Sequence, residues 1–305
     1  EVPNVDFRLL DSLGLGKAEW TQIALNAGWQ MLRMNLNTFS RHGVYNDKDV
    51  VRQLAEKLRS REAILKARAF PYQLLTAYNN VDADIPFELK EALQDAMEIA
   101  TENTPVFEGD VYVCVDVSGS MGGTITGRGS TPSKTRYVDA AALFGSCVLR
   151  KNPQAVIVPF DNRIHKSDLN PRDSVMTNAT KLAKYGGGGT DCGLAMQHVA
   201  LKAPKNANVV FISDNESWVD GARSAYWGNN STTLMAAWQG YKKGSPSSRL
   251  VCIDIAPYTT SQTQARADIL QVGGFSDNVF DVVNNFLKYG SEGDHWVKEI
   301  ESVEV

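Results

Sequence analysis

Apolar side chains set two different rhythms along this chain. Up to about residue 103 they recur every three or four positions, which is the spacing of helices with one buried face. Trp20, Ile23, Ala24, Ala27, Met31, Leu32, Leu36 and Phe39 form the first stripe, and Gly28 is a place for it to divide into two helices. Asn46 or Asp47 is positioned to cap the next helix, which carries Val50, Val51, Leu54 and Leu58. Ser60 opens a third with only a partial cap, because Ala63 stands where a capping box places an acidic residue. Ile64, Leu65 and Ala67 give that helix its apolar side. Pro71 interrupts or opens a helix bearing Tyr72, Leu74, Leu75 and Tyr78, and Pro86 opens a strong helix former over 87–100. Thr104-Pro105 and Glu108-Gly109-Asp110 then read as a linker.

From residue 110 the rhythm changes. Short β-branched runs at 111–115, 155–160, 209–213 and 250–255, with a shorter one at 278–280, read as strands. Helical stretches lie between and after them, at 137–150, 174–184, 193–203, 232–241 and 281–288. Such alternation predicts an α/β fold, a doubly wound, mostly parallel sheet covered by helices on both faces. Phe160-Asp161-Asn162-Arg163-Ile164 reads as a tight turn into a short edge strand, which would make the sheet mixed. The expected organisation is therefore a helical segment, 1–103, followed by an α/β domain, 104–305. No repeat of fixed period is visible, although the early helices suit degenerate HEAT-like repeats.

With 305 residues and 43% hydrophobic positions, the chain can bury a sizeable core in one large domain or two ordinary ones. No window approaches the unbroken apolar length of a membrane span, and no basic region followed by an apolar one marks a secretion signal. The first residue is Glu1, not Met, which fits a processed chain or a fragment. A net charge of −4 gives no global attraction to nucleic acid or anionic membrane. Cys114, Cys147, Cys192 and Cys252 are widely spaced and sit mostly in apolar runs, as buried reduced thiols of a cytoplasmic protein do. Asn178-Ala179-Thr180 and Asn230-Ser231-Thr232 match a glycosylation pattern, read here as coincidence.

The candidate chemistry sits where strands end. Asp116-Val117-Ser118-Gly119-Ser120 follows the first strand and offers one carboxylate and two hydroxyls. In open α/β sheets ligands bind at that edge. Hard oxygen donors suit Mg²⁺, Mn²⁺ or Ca²⁺, while a turn with a helix cap accounts for the same residues without a ligand. Gly186-Gly187-Gly188-Gly189 precedes Thr190 and Asp191, and the glycines would let the backbone approach a metal closely; a flexible surface loop is the plain alternative. The run lacks the G-K-[ST] ending of a phosphate loop. Asp214-Asn215-Glu216 follows the third strand. No general base is evidently placed, His165 and His198 read as structural, and the pattern favours binding over catalysis, so no enzyme activity is expected. The glycine-rich stretch 122–130 would hang over this face as a lid, a contact loop or a tolerated insertion. Trp218, Tyr226, Trp227 and Trp238 read as packing aromatics, with Trp218 near enough to shape a rim.

Asp116-x-Ser118-x-Ser120, Thr190 after glycines, and Asp214 after an apolar strand resemble the metal-ion-dependent adhesion site of von Willebrand factor A domains. That resemblance implies Ser118, Ser120 and Thr190 as direct ligands of Mg²⁺ or Mn²⁺, Asp116 and Asp214 as charge-balancing carboxylates, and an open position for a partner's acidic group. Trp29-x-x-Leu32-Arg33-Met34-Asn35-Leu36-Asn37 and Lys66-Ala67-Arg68-Ala69-Phe70-Pro71-Tyr72-Gln73-Leu74-Leu75-Thr76-Ala77 resemble the end of the helical TROVE module of Ro autoantigen proteins. Gly188-Gly189-Thr190-Asp191-Cys192-Gly193-Leu194-Ala195-Met196 and Ser213-Asp214-Asn215-Glu216-Ser217 look like the same family's metal loops. The resemblance implies a cytoplasmic RNA-binding protein of ribonucleoprotein particles, handling Y-type noncoding RNA and misfolded or decaying RNA in quality control, with an exoribonuclease or another protein as partner. It further suggests a bacterial or phage member lacking most of the helical ring.

Residues 41–68 hold eight basic and four acidic side chains in an otherwise acidic chain. Arg41, Lys57, Arg59, Arg61, Lys66 and Arg68 are the candidate RNA contacts; a solvated helix face with internal charge pairs is the alternative. Two other functions stay open: a metal-dependent module that captures a partner's Asp or Glu without RNA, and a metal-assisted phosphohydrolase.

Overall fold

A computed structural model describes residues 14–125, 133–214, 233–256, 263, 266–276 and 278–291. The chain divides into two compact units, Glu1–Asn103 and Thr104–Val305.

The first unit is helical: α1 (Lys17–Asn26), α2 (Trp29–Met34), α3 (Leu36–Arg41), α4 (Lys48–Leu58), α5 (Arg61–Lys66), α6 (Pro71–Asn80) and α7 (Phe87–Ala100). Local chemistry sets the boundaries. Gly28 caps α2, and the extended Ala27 ends α1. A second break falls at Asn35, between α2 and α3, where the Asn35 amide donates to the Met31 carbonyl at 2.8 Å. Such a bond competes with the main-chain ladder. Asp47 caps α4 by accepting from the Asp49 and Val50 amides, and the Ser60 hydroxyl accepts from Ala63 N–H to start α5. Pro71 opens α6. Trp20, Leu32, Phe39, Leu54, Leu58, Ile64, Leu74, Leu89, Leu93 and Met97 fill the core, and the buried Trp29 indole donates to the Leu58 carbonyl at 2.8 Å.

The second unit is a five-stranded sheet in the order β2-β1-β3-β4-β5. Its strands are β1 (Val111–Asp116), β2 (Val156–Phe160), β3 (Asn208–Ser213), β4 (Leu250–Asp254) and β5 (Ile269–Gly273), and every pairing is parallel. Around it lie α8 (Tyr137–Lys151), α9 (Val175–Leu182), α10 (Cys192–Lys202), α11 (Thr233–Gly244) and α12 (Val279–Tyr289). On one face Cys114, Phe160, Val209 and Phe211 pack with Met196 and Val199 of α10 and Trp238 of α11. On the other, Gly145 of α8 lies so near Val115 that an added Cβ would stand 3.1 Å from its Cγ2, and Phe144 stacks on Phe280 of α12 with ring centres 4.5 Å apart. β1 and β3 are buried along their whole length, as central strands covered on both faces must be.

Two details differ from the pattern of apolar positions. The fifth strand is Ile269–Gly273, while residues 278–280 begin a helix. β5 is an edge strand with polar Gln271 at its centre and alternating burial, so its apolar signal is weak. The turn after β2 adds no antiparallel strand; Phe160 and Ile164 form one isolated antiparallel bridge, and the named strands are parallel throughout. Among the described residues no helix is long and apolar enough to cross a membrane.

Asp268 ties α11 to the foot of β5. It accepts from the Trp238 indole at 3.0 Å and from Arg266 Nε at 2.8 Å. Burial works against its charge, but the bonds from Arg266 and Trp238 prevail and hold the carboxyl below its ordinary pKa. Its contribution is therefore present above the unfolded carboxyl pKa of about 4 and is lost as pH falls below that value. Asp268→Asn should lower stability by about 1–3 kcal/mol at neutral pH, with the gap to wild type closing below about pH 4, as read by urea unfolding at several pH values.

Candidate metal centre

The strand order reverses at β1, which passes to β2 on one side and has β3 on the other, so the crevice at the carboxyl ends of β1 and β3 is the sheet's switch point. Asp116 is the last residue of β1 and Asp214 follows β3 directly. Both are buried. One Asp116 oxygen accepts from the Ser118 amide at 2.8 Å, and the other accepts from the Ser213 hydroxyl at 2.6 Å. The first bond folds residues 116–118 into a tight turn, which places the Ser118 and Ser120 hydroxyl oxygens 3.1 Å apart.

The glycine segment is stitched onto that turn by main-chain bonds. Gly187 N–H donates to the Val117 carbonyl at 3.0 Å, and Gly119 N–H donates to the Gly188 carbonyl at 2.9 Å. Side chains would prevent this approach: Gly186 has φ +81°, and a Cβ there would stand 2.0 Å from the Val117 oxygen. The segment ends at the buried Thr190, after which Asp191 caps α10 by accepting from Leu194 N–H at 2.9 Å. The loops carrying Ser118, Ser120 and Thr190 are thus joined at the edge where Asp116 and Asp214 emerge. Gly189 lacks any such crowding.

Burial pushes the Asp116 carboxyl up to about 6, against the bonds from Ser118 and Ser213 that favour its charge, and the neighbouring Asp214 pushes in the same direction as burial. Among the described residues no cationic side chain acts on it. Two carboxylates buried side by side repel one another and are costly to keep charged. Three hydroxyls and two carboxylates are the hard donors that Mg²⁺ or Mn²⁺ takes, so the residues present fit such an ion. Among the described residues no group of three or more His, Cys, Asp or Glu side chains is placed to hold a metal, so a site here depends on the hydroxyls.

Asp161 and Ser213 also belong to this edge, although neither stood among the candidate ligands. Asp161 follows β2, is buried, and accepts from the Gly188 amide at 3.3 Å. A visible signal was available for it: Asp116, Asp161, Asp214 and Asp254 each end or follow an apolar strand. His165 lies against Asp161, with Nε2 3.1 Å from Oδ1, and His198 is half-buried on α10. Trp238 is a core residue. Asn215, Glu216, Ser217, Trp218, Tyr226, Trp227 and residues 126–130 lie outside the described residues.

The six candidate RNA contacts divide into two groups. Lys57 Nζ donates to the Leu25 carbonyl at 2.8 Å, and burial holds its ammonium below its ordinary pKa. Arg59 lies 3.5 Å from Asp95 and 3.9 Å from Glu56, and Arg61 makes a two-pronged contact with Glu102. These three serve the helical unit's own surface. Arg41, Lys66 and Arg68 are exposed. Arg68 ends α5 in the left-handed region at φ +45°, its N–H donating to the Leu65 carbonyl at 3.0 Å while Ala69 N–H reaches Ile64 at 3.1 Å. Glycine ordinarily fills that position.

A parallel sheet in this order, with hydroxyls and carboxylates gathered at its switch point, defines an α/β domain of the von Willebrand A type. Residues 111–287 match the family model for the Ro60 vWA domain, and the chain belongs to that family. It is 26% identical over 277 residues to the RNA-binding protein RO60 of Deinococcus radiodurans, covering 86% of this chain and 49% of that protein. The crystal structure of the Deinococcus radiodurans RO (RSR) protein has the same fold, with a TM-score of 0.74 at 22% identity, over 93% of this chain and 57% of that one. The chain spans about half the length of these relatives.

Gly186→Ala should disrupt the seam between the two loops and cost about 2 kcal/mol or more, because the added carbon meets main chain at a positive φ. Gly189→Ala should stay within about 0.5 kcal/mol of wild type. Thermal unfolding of the two variants checks the contrast.

Proposed function

We propose that this chain is a nonenzymatic RNA-binding protein of a small noncoding RNA ribonucleoprotein, with a divalent ion held in its A-type domain. The observation that carries the reading is the match to a relative named as RNA-binding, which extends over 86% of the chain and so takes in both units. RNA of the Y type, and misfolded or decaying RNA, are the proposed cargo, and the cytoplasm is the proposed location. The exposed Arg41, Lys66 and Arg68 are the side chains to which phosphate contact is assigned; Lys57, Arg59 and Arg61 already have partners. Phosphate contacts of this kind give affinity with little sequence preference.

In the A-type domain, Ser118, Ser120 and Thr190 would hold Mg²⁺ or Mn²⁺, with Asp116 and Asp214 balancing its charge. The ion would offer an electron-poor position to a carboxylate or phosphate oxygen of a partner, an exoribonuclease or another protein. This chain's own residues shape that position: Ser213 orients Asp116, and the glycine seam fixes the two hydroxyl loops against each other. A second reading, a metal-dependent protein-capture module without RNA, draws support from the internal use of Lys57, Arg59 and Arg61.

Arg68→Gly separates binding from stability. Glycine relieves the left-handed position, so stability should hold or rise by up to about 1 kcal/mol. RNA affinity should fall, and the slope of log affinity against log salt should shrink by about 0.7–0.9 for one lost phosphate contact. Gel-shift titrations at several salt concentrations, beside thermal unfolding, read both. Calorimetry with Mg²⁺ should show one site that Ser118→Ala weakens by about tenfold or more. Absence of heat in wild type would remove the ion. Absence of any RNA shift, with Mg²⁺-dependent protein capture abolished by Asp116→Ala, would install the second reading.

A further inference from the structure

Asp161 grips both ends of the short segment that carries Thr190. Its side-chain Oδ2 accepts from the Gly188 amide at 3.3 Å, and its main-chain carbonyl accepts from the Asp191 amide at 3.1 Å. Thr190 stands between those two points. The residue is itself rigidly set: Oδ1 accepts from the Arg163 amide at 3.0 Å, and its own N–H donates to the Arg163 carbonyl at 3.1 Å. On the Oδ1 side the carboxylate also faces His165 Nε2 at 3.1 Å, and both side chains are at least nine-tenths buried, so bulk water does not compete for the grip.

The same contact reaches the serine loop through one intermediary. The Gly188 carbonyl accepts from Gly119 N–H at 2.9 Å, between Ser118 and Ser120. A Cβ at Gly188 would lie 2.8 Å from Asn162 Oδ1 and 3.0 Å from Asp161 Oδ2, so a larger residue there would have to push those side-chain ends aside. The carboxylate thus reaches the loop main chain directly, at a residue that bonds to both sides.

We propose that Asp161 is the positioning residue of the cradle: it fixes where Thr190 stands relative to Ser118 and Ser120 without touching the ion. The inference rests on the metal reading above and adds a residue to it. Groups that hold a metal ligand in place typically matter about 10- to 100-fold in metal affinity. A residue that acts by setting Thr190 against the serine loop must also lose its effect once the Thr190 hydroxyl is gone.

The test uses the full chain, with Mn²⁺ binding followed by electron paramagnetic resonance and amide hydrogen exchange measured in parallel. Asp161→Ala should weaken Mn²⁺ binding by about 10- to 100-fold. In a Thr190→Ala background the same substitution should add no more than about twofold. Asp161→Asn, which keeps one acceptor oxygen for the Gly188 amide, should bind Mn²⁺ more tightly than Asp161→Ala, and Asp161→Ala should speed exchange within residues 188–191 while β1 and β3 stay protected. Unchanged Mn²⁺ affinity in Asp161→Ala, or the full loss persisting in the Thr190→Ala background, overturns the proposal. So does exchange that rises equally across the sheet, or not at all in 188–191. If wild type binds no Mn²⁺, the metal reading fails and the exchange pattern alone decides whether Asp161 positions the segment.

Discussion

A carboxylate buried at the end of the central strand is the constraint that shapes this domain. Asp116 is fully buried, and burial disfavours its charged form. The Ser118 amide and the Ser213 hydroxyl each take one of its oxygens. The first bond is local to the loop after β1, but the Ser213 bond requires β1 and β3 to be neighbours, as they are at this point of the strand order. The glycine seam answers the same demand from the opposite side. Gly187 bonds to Val117 and Gly119 to Gly188, main chain to main chain, which joins the two loops without a side chain in the seam. The helices on both faces keep the surroundings of low polarity and so raise the cost of an uncompensated charge.

Much of this was legible in the sequence. β1 and β3 are unbroken apolar runs, and their burial on both faces is what such runs mean. α7 begins and ends where its proline and apolar spacing place it. The chemistry-bearing loops follow from strand ends, because a parallel sheet gathers those ends on one edge. What failed had local causes. β5 carries Gln271 at its centre and buries only one of its five residues fully, so its strand signal is faint. Residues 278–280 have two apolar members in sequence, but these open the amphipathic α12, whose Val283, Phe286 and Leu287 continue the stripe at helical spacing. The break at Asn35 depends on one side-chain bond to Met31, a preference that apolar periodicity does not encode. Asp161 was hidden by the turn that follows it, which reads equally well as an edge hairpin.

The helical unit shows why counting charges misleads. Eight basic side chains within residues 41–68 suggest a nucleic-acid surface. Yet Lys57 closes a gap at the end of α1 by reaching the Leu25 carbonyl, and Arg59 and Arg61 tie α4 and α5 to acids near α7. Exposed ion pairs of this kind contribute little to stability, but they hold the guanidinium groups in fixed directions. Arg68 is different. It occupies a left-handed position at some conformational cost, where glycine would be easier. A residue kept at a strained and exposed position invites a functional explanation, whereas a paired arginine already has a structural one.

Under the proposed reading, the two units meet the same chemical group, an anionic oxygen, by opposite physics. Exposed Arg41, Lys66 and Arg68 act through charge in water, over a range that salt shortens to about 8 Å at physiological ionic strength. Their attraction is long-ranged, additive and indifferent to the geometry of the phosphate. An ion in the cradle would act at contact distance, from a buried setting where salt screens weakly, and would ask for one oxygen in one direction. Raising the salt should therefore strip the helical contacts first and leave the cradle's partner in place. Binding that survives high salt, needs a divalent ion and is lost with Ser118 would belong to the cradle; binding that falls steeply with salt and ignores the ion would belong to the helices. The separation follows from where each charge sits, exposed on a helix or buried at the end of a strand, and not from the identity of the partner.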